Sequence, residues 1–158
     1  MKAVLFGHKA DLIGEVTPFA FDPELTEKAR PLFRLKDVIG PSQLIVMVAR
    51  AGFIEKNRAA LTDFLEDNLR TIAWYENPAH HDEAIKAVSD FTKTPPSVWA
   101  SWVYTPVDSY RDPAGKPNLD SFTRSIAFAH DLGFVPAALD AHKYADLSMV
   151  EAAAKRIK

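Results

Sequence analysis

Ile54, Leu61, Phe64, Leu65, Leu69, Ile72 and Tyr75 recur at helical spacing, one apolar stripe over about six turns. No other feature constrains this chain as strongly. A stripe of that length predicts a single helix over residues 54–75, and the helix needs an apolar surface to lie against. The residues after it continue in the same vein. Asn77-Pro78 stops this helix and starts the next, in which Ala84, Ile85, Val88 and Phe91 share a face. Thr94 and Pro95 read as an N-cap and first helical residue, opening a short helix through Val98, Trp99 and Trp102. Residues 105–117 hold three prolines and predict an ordered loop. Leu119, Phe122, Ile126, Ala129 and Leu132 then mark a further helix that ends at Gly133 as its C′ residue. Ser148-Met149-Val150-Glu151 reads as a capping box for the last helix, whose Lys155, Arg156 and Lys158 suit its C-terminal dipole end.

The first 50 residues have a different pattern. Ala10–Val16 is a short strand candidate ending at Thr17-Pro18, and Asp22-Pro23 caps a short helix reaching Ala29. Leu44-Ile45-Val46-Met47-Val48-Ala49 is a continuous apolar, largely β-branched run, which predicts a strand buried on both faces. The expected fold class is therefore α/β and helix-rich, with about six helices and two to four short strands. At 158 residues the chain has the size of one domain. Nineteen basic and 21 acidic residues leave a net charge of −2, which excludes broad electrostatic capture of nucleic acid or of an acidic membrane. With no cysteine there is no disulfide, thiolate metal site or cysteine nucleophile. The six glycines never form a GxG, so dinucleotide and P-loop folds are excluded. No apolar run approaches the roughly 18 residues of a membrane span, and Val4-Leu5-Phe6 is too short for the core of an export signal.

Few residues point to chemistry. His80 and His81 are adjacent, so on a helix their rings diverge by about 100° and chelate together poorly; they read as part of the polar, solvated first turn of a helix. His8, His130 and His142 stand alone. A GxSxG nucleophile turn is absent. Trp74, Trp99, Trp102, Tyr104 and Tyr110 form an aromatic group that either packs a core or edges a pocket. Glu15-Val16-Thr17-Pro18-Phe19 places a carboxylate, a hydroxyl and a ring at the expected C-terminal end of a strand, where open α/β sheets bind ligands. A strand-to-helix turn capped by Thr17 is the alternative reading.

In order along the chain stand Leu5-Phe6-Gly7-His8-Lys9-Ala10-Asp11, Glu15-Val16-Thr17-Pro18-Phe19, Ala29-Arg30-Pro31-Leu32-Phe33, Val48-Ala49-Arg50 and Phe53-Ile54-Glu55-Lys56-Asn57. Asn77-Pro78, Asp131-Leu132-Gly133-Phe134-Val135-Pro136 and Asp146-Leu147-Ser148 follow. This succession resembles the C-terminal part of the nitrate/sulfonate/taurine substrate-binding proteins of ABC transporters, a family that includes thiamine-pyrimidine-precursor binding and synthesis proteins. The resemblance runs from about residue 2 to the end. It implies a two-lobed periplasmic-binding-protein type II fold of which most of the first lobe precedes this sequence. Residues 1–43 would belong to the second lobe. Residues 44–158 would supply the hinge strand and helices that pack on the first lobe, the whole forming one compact unit. The resemblance further implies a small anionic or polar-aromatic ligand, an ABC permease as partner, a periplasmic location, and neither cofactor nor metal. The family's Glu-Pro pair is spread here over Glu15-Val16-Thr17-Pro18, so Thr17 and Phe19 join Glu15 as ligand-binding candidates. Ser42 and Gln43 are candidates at the cleft floor. A binding protein is expected, not an enzyme; the alternatives are a pyrimidine-precursor synthase or desulfinase of the same fold, and an orphan domain without ligand. Apolar stripes left without the first lobe also predict a homo-oligomer.

Overall fold

The computed structural model describes residues 1–157, and these form two compact units that are each built from two stretches of chain. One unit comprises 1–32 and 75–109, the other 33–74 and 110–157; Lys158, expected at the C-terminal end of the last helix, lies outside the described residues. The described residues are helix-rich. They contain α1 (Lys2–Phe6), α2 (Pro23–Lys28), α3 (Leu35–Ile39), α4 (Ala51–Tyr75), α5 (His81–Thr92), α6 (Leu119–Asp131) and α7 (Ser148–Ala154), with short 3-10 turns between them. No strand occurs among the described residues.

The second unit is organised by α4, the helix expected from the stripe. Leu69 packs with Val150 and Ala153 of α7, and Leu65, Ile72, Leu147, Ala154 and Ile157 close around them. Ala153 is 0% exposed, and its small side chain lets the two helices approach. Gly115, at φ +69°, sits on the same seam; a Cβ there would stand 2.6 Å from Leu69 Cδ2 and 3.0 Å from Val150 Cγ2. Ion pairs between distant parts of the chain line the seam. Arg58 donates to Asp146 at 2.9 Å and to the Ser148 hydroxyl, Arg156 to Asp63 at 2.7 Å, and Lys116 to Glu151 at 2.8 Å. α4 is kinked at Asn57 (φ −126°, ψ 19°), whose Nδ2 donates to the Phe53 carbonyl at 2.8 Å and competes with the helical ladder.

In the first unit the core is aromatic. Ile85, Trp102 and Val103 are buried, with Phe21, Trp99 and Tyr104 against them. The Phe21 and Trp102 rings stack with centroids 4.9 Å apart, and Tyr75 stacks on Tyr104 at 4.1 Å. The Trp102 Nε1–H donates to the Val98 carbonyl at 2.8 Å.

Several local expectations hold in detail. The Asp22 carboxylate caps α2 by accepting from the Leu25 amide at 3.0 Å, with Pro23 at the first helical position. Asn77 accepts from the Ala79 amide and opens the turn into α5. After α6, the Gly133 amide donates to His130 and the Phe134 amide to Ala129, the two bonds of a Schellman motif, with Gly133 at φ +77°.

Others do not. The strands expected at Ala10–Val16 and Leu44–Ala49 are irregular chain. Leu44, Ile45, Met47 and Val48 are 87%, 77%, 67% and 88% exposed, where burial on both faces was expected. A strand exists only by pairing, and these residues meet no edge that would pair with them. Thr94 does not cap: Pro95 takes that position and only the 3-10 turn Pro96–Val98 follows, because consecutive prolines withhold amide donors. The expected capping box of α7 is rewired. The Ser148 hydroxyl donates to Asp146, which also accepts the Ser148 amide, while Glu151 pairs with Lys116. Phe91 and Leu132 are exposed in place of facing inward, and Ser121 is the buried residue of α6. Tyr110 of the aromatic group is also exposed, and Trp74 belongs to the other unit.

The described surface amounts to 11910 Å². Two separate, well-packed bodies of these sizes would expose about 9,500 Å² together, and any contact between them would only lower that figure. The units themselves therefore leave apolar surface uncovered. Phe33, Leu35, Val38, Leu44, Ile45, Met47 and Val48 of the second unit are exposed, as is Leu32 of the first.

Candidate functional site

Both units carry an open hollow. In the first unit, Met1, Lys2, Glu15, Phe19 and Asp22 line about 350 Å³, near the lower end for small-molecule sites. α1 brings Lys2 beside the N-terminal turn of α2. Its ammonium donates to Asp22 at 2.8 Å and lies 3.1 Å from Glu24. Hydrogen bonds to Asp22, then to Glu24, raise the Lys2 pKa above the usual lysine value. The Asp22 carboxyl is held below the usual carboxylate range by Lys2 first and by the Leu25 amide second. Glu24 is lowered by Lys28, then by Lys2. Lys2 is thus engaged by two carboxylates and offers little charge to a guest. The Glu15 side chain is 13% exposed and pairs with the Met1 ammonium at 3.2 Å. Phe19 presents a ring that is 64% exposed. The hollow can accept a flat polar ring against Phe19, with Glu15 as acceptor.

Of the residues singled out in the sequence, Glu15 and Phe19 meet in this hollow. Thr17, between them in the chain, is exposed, outside the lining, and precedes a cis peptide to Pro18. Ser42 and Gln43 belong to the second unit. Ser42 is exposed, and Gln43 works as a fastener. Its Nε2 donates to the Ile45 carbonyl at 2.6 Å and its Oε1 accepts the Asn118 amide at 2.7 Å. The Ser121 hydroxyl donates to the Pro41 carbonyl beside it, tying the 41–45 loop to the start of α6.

The second hollow was not anticipated. It occupies about 420 Å³ at the start of α4 and is lined by Arg50, Gly52, Phe53, Lys56 and Asn57. The Arg50 carbonyl accepts the Phe53 and Ile54 amides, while the Ala51 and Gly52 amides find no acceptor among the described residues. No acidic residue lies in the first turn of α4, and among the described residues neither Arg50 nor Lys56 forms an ion pair. Arg50 and Lys56 flank residues 51–56, the part of α4 ahead of the kink at Asn57, and positive charge is unfavourable at a helix start. An anion would offset both and take up the amides. That charge pattern is visible in the sequence as Arg50 and Lys56 around a helix start.

His81 Nε2 lies 3.3 Å from the Ala100 carbonyl and His142 Nε2 2.9 Å from Asp120, so these rings serve as local bridges. No group of three or more His, Cys, Asp or Glu among the described residues could hold a metal. No described helix is long and apolar enough to cross a membrane. No family, no curated protein and no solved structure matches this chain.

Proposed function

We propose that this protein is a substrate-binding component of an ABC transporter, or part of one, that binds a small anionic or polar-aromatic ligand such as a sulfonate, taurine, nitrate or a pyrimidine precursor. The observation that carries the reading is the pair of unpaired cations, Arg50 and Lys56, beside the free amides and the Phe53 ring at the start of α4. Such a group holds an anion without full charge neutralisation. The Glu15–Phe19 hollow adds a place for a polar ring. In this reading the protein binds and hands over its ligand without converting it. It works in the periplasm with permease subunits as partners, and belongs to a two-lobed, helix-rich α/β fold.

Calorimetric titration with nitrate, taurine, alkanesulfonates and aminopyrimidines tests this. At least one should give a saturable isotherm, weakened about tenfold or more by Arg50→Gln with Lys56→Gln, equivalent to about 1.4 kcal/mol. A ligand lost on Phe19→Ala, with the double variant unaffected, would move the site to the first hollow. Flat isotherms throughout would overturn the proposal.

A further inference from the structure

We propose that Leu44–Val48 is a self-pairing edge: two copies of this chain join by laying this segment antiparallel against itself about a two-fold axis at Val46. Four observations converge on it. Among the described residues, no backbone–backbone hydrogen bond involves residues 44–49, and apart from the Ile45 carbonyl, which accepts from the Gln43 side chain, their donors and acceptors stand open. The side chains of Leu44, Ile45, Met47 and Val48 are 67–88% exposed, and the segment lacks the lysine, proline or bulge that normally blunts an open edge. Pro41 and Arg50 lie outside it.

The segment is also complementary to itself. Centred on Val46, Leu44 faces Val48, Ile45 faces Met47, and Val46 faces its own copy, all of them apolar pairs. No charge between residues 44 and 49 opposes this register. A two-stranded ribbon alone is only marginally stable, and the same unit also exposes Phe33, Leu35 and Val38 as further apolar surface.

The area suffices. Summed over both units, the chain exposes about 2,400 Å² more than two well-packed bodies of its size, and a standard stable interface takes roughly 800 Å² per partner. A two-fold pairing closes on itself and yields a dimer, not a fibre. The inference stands apart from the ligand-binding reading, since its test reads mass and cross-links and not ligand.

In sedimentation equilibrium at micromolar concentration the chain should run at twice its 17.6 kDa mass. Val46→Glu and Val46→Lys should each run as monomers, because like charges would meet on the axis. Their equimolar mixture should restore the dimer, which shows that both variants fold. The absence of cysteine allows a register test. Under mild oxidation Val46→Cys should form a covalent dimer, whereas Leu44→Cys should not, its two copies lying about 14 Å apart at the roughly 3.3 Å rise of a strand. A wild-type monomer, an open-ended aggregate, a mixture that stays monomeric, or equal cross-linking at residues 44 and 46 would each overturn the proposal.

Discussion

The seam between α4 and α7 and the stretch from Leu32 to Val48 are equally apolar in sequence and opposite in fate. Leu69 and Ala153 are 3% and 0% exposed, while Leu44 and Val48 are 87% and 88% exposed. The difference lies in partners. α4 finds α7 and the Gly115 loop within the same unit, with ion pairs spanning 88 and 93 residues of chain to hold them. The run 44–48 finds no sheet edge. Hydrophobicity alone therefore states that a segment wants cover, and the rest of the chain decides whether it is covered.

The comparison breaks most sharply at Leu69. Leu69→Ala should cost about 2–5 kcal/mol in urea unfolding, whereas Leu44→Ala, measured at a dilution that favours monomer, should stay within about 0.5 kcal/mol. Equal costs would show that the two regions are packed alike. Next comes Gly115→Ala, which adds a Cβ 2.6 Å from Leu69 Cδ2 at a positive φ. A loss of about 1–3 kcal/mol is expected; the glycines at 14 and 52, which have open space for a Cβ, should tolerate alanine far better.

A smaller effect is expected at the polar edge of the seam. Hydrogen bonds from Arg58, then from the Ser148 hydroxyl and amide, hold the Asp146 carboxyl down to about 2, from 3.8. A depressed carboxylate pKa adds stability that is present above the unfolded value and lost as pH falls through the folded one. The acid limb between pH 3.8 and about 2 should therefore steepen because of this residue. Arg58→Met should flatten it by about 0.5–1 kcal/mol, the figure discounted because Asp146 remains 40% exposed. Smallest of all, Lys86→Ala removes the pair with Asp90 on α5, both ends well exposed. Its cost should be below about 0.5 kcal/mol, since this order of charges along a helix is the weaker one.

What the residues disclosed beforehand was local. The α4 stripe, the Asp22 and Asn77 caps and the Gly133 terminator depend on neighbours within a few positions; the caps and terminator formed as read, while α4 formed with a kink at Asn57 and with Phe64 of its stripe exposed. Leu44–Ala49 failed as a strand because pairing is a property of two segments, of which the sequence pattern exhibits one. Ser148 abandoned its capping role because Arg58 and Asp146 reach it from elsewhere in the fold. The same logic divides the site residues. Glu15 and Phe19 are close in sequence and meet in one hollow, while Gln43 is claimed by Asn118, 75 residues away. The Arg50–Lys56 hollow was overlooked although its signal, cations at a helix start, is local.

Amide hydrogen exchange at two protein concentrations addresses the central contrast most directly. At a concentration that favours dimer, the amides of 44–48 should exchange slowly, and dilution should release them, while those of 65–72 on the α4 seam remain equally protected at both. Fast exchange of 44–48 at every concentration, or protection unchanged by dilution, would contradict the account.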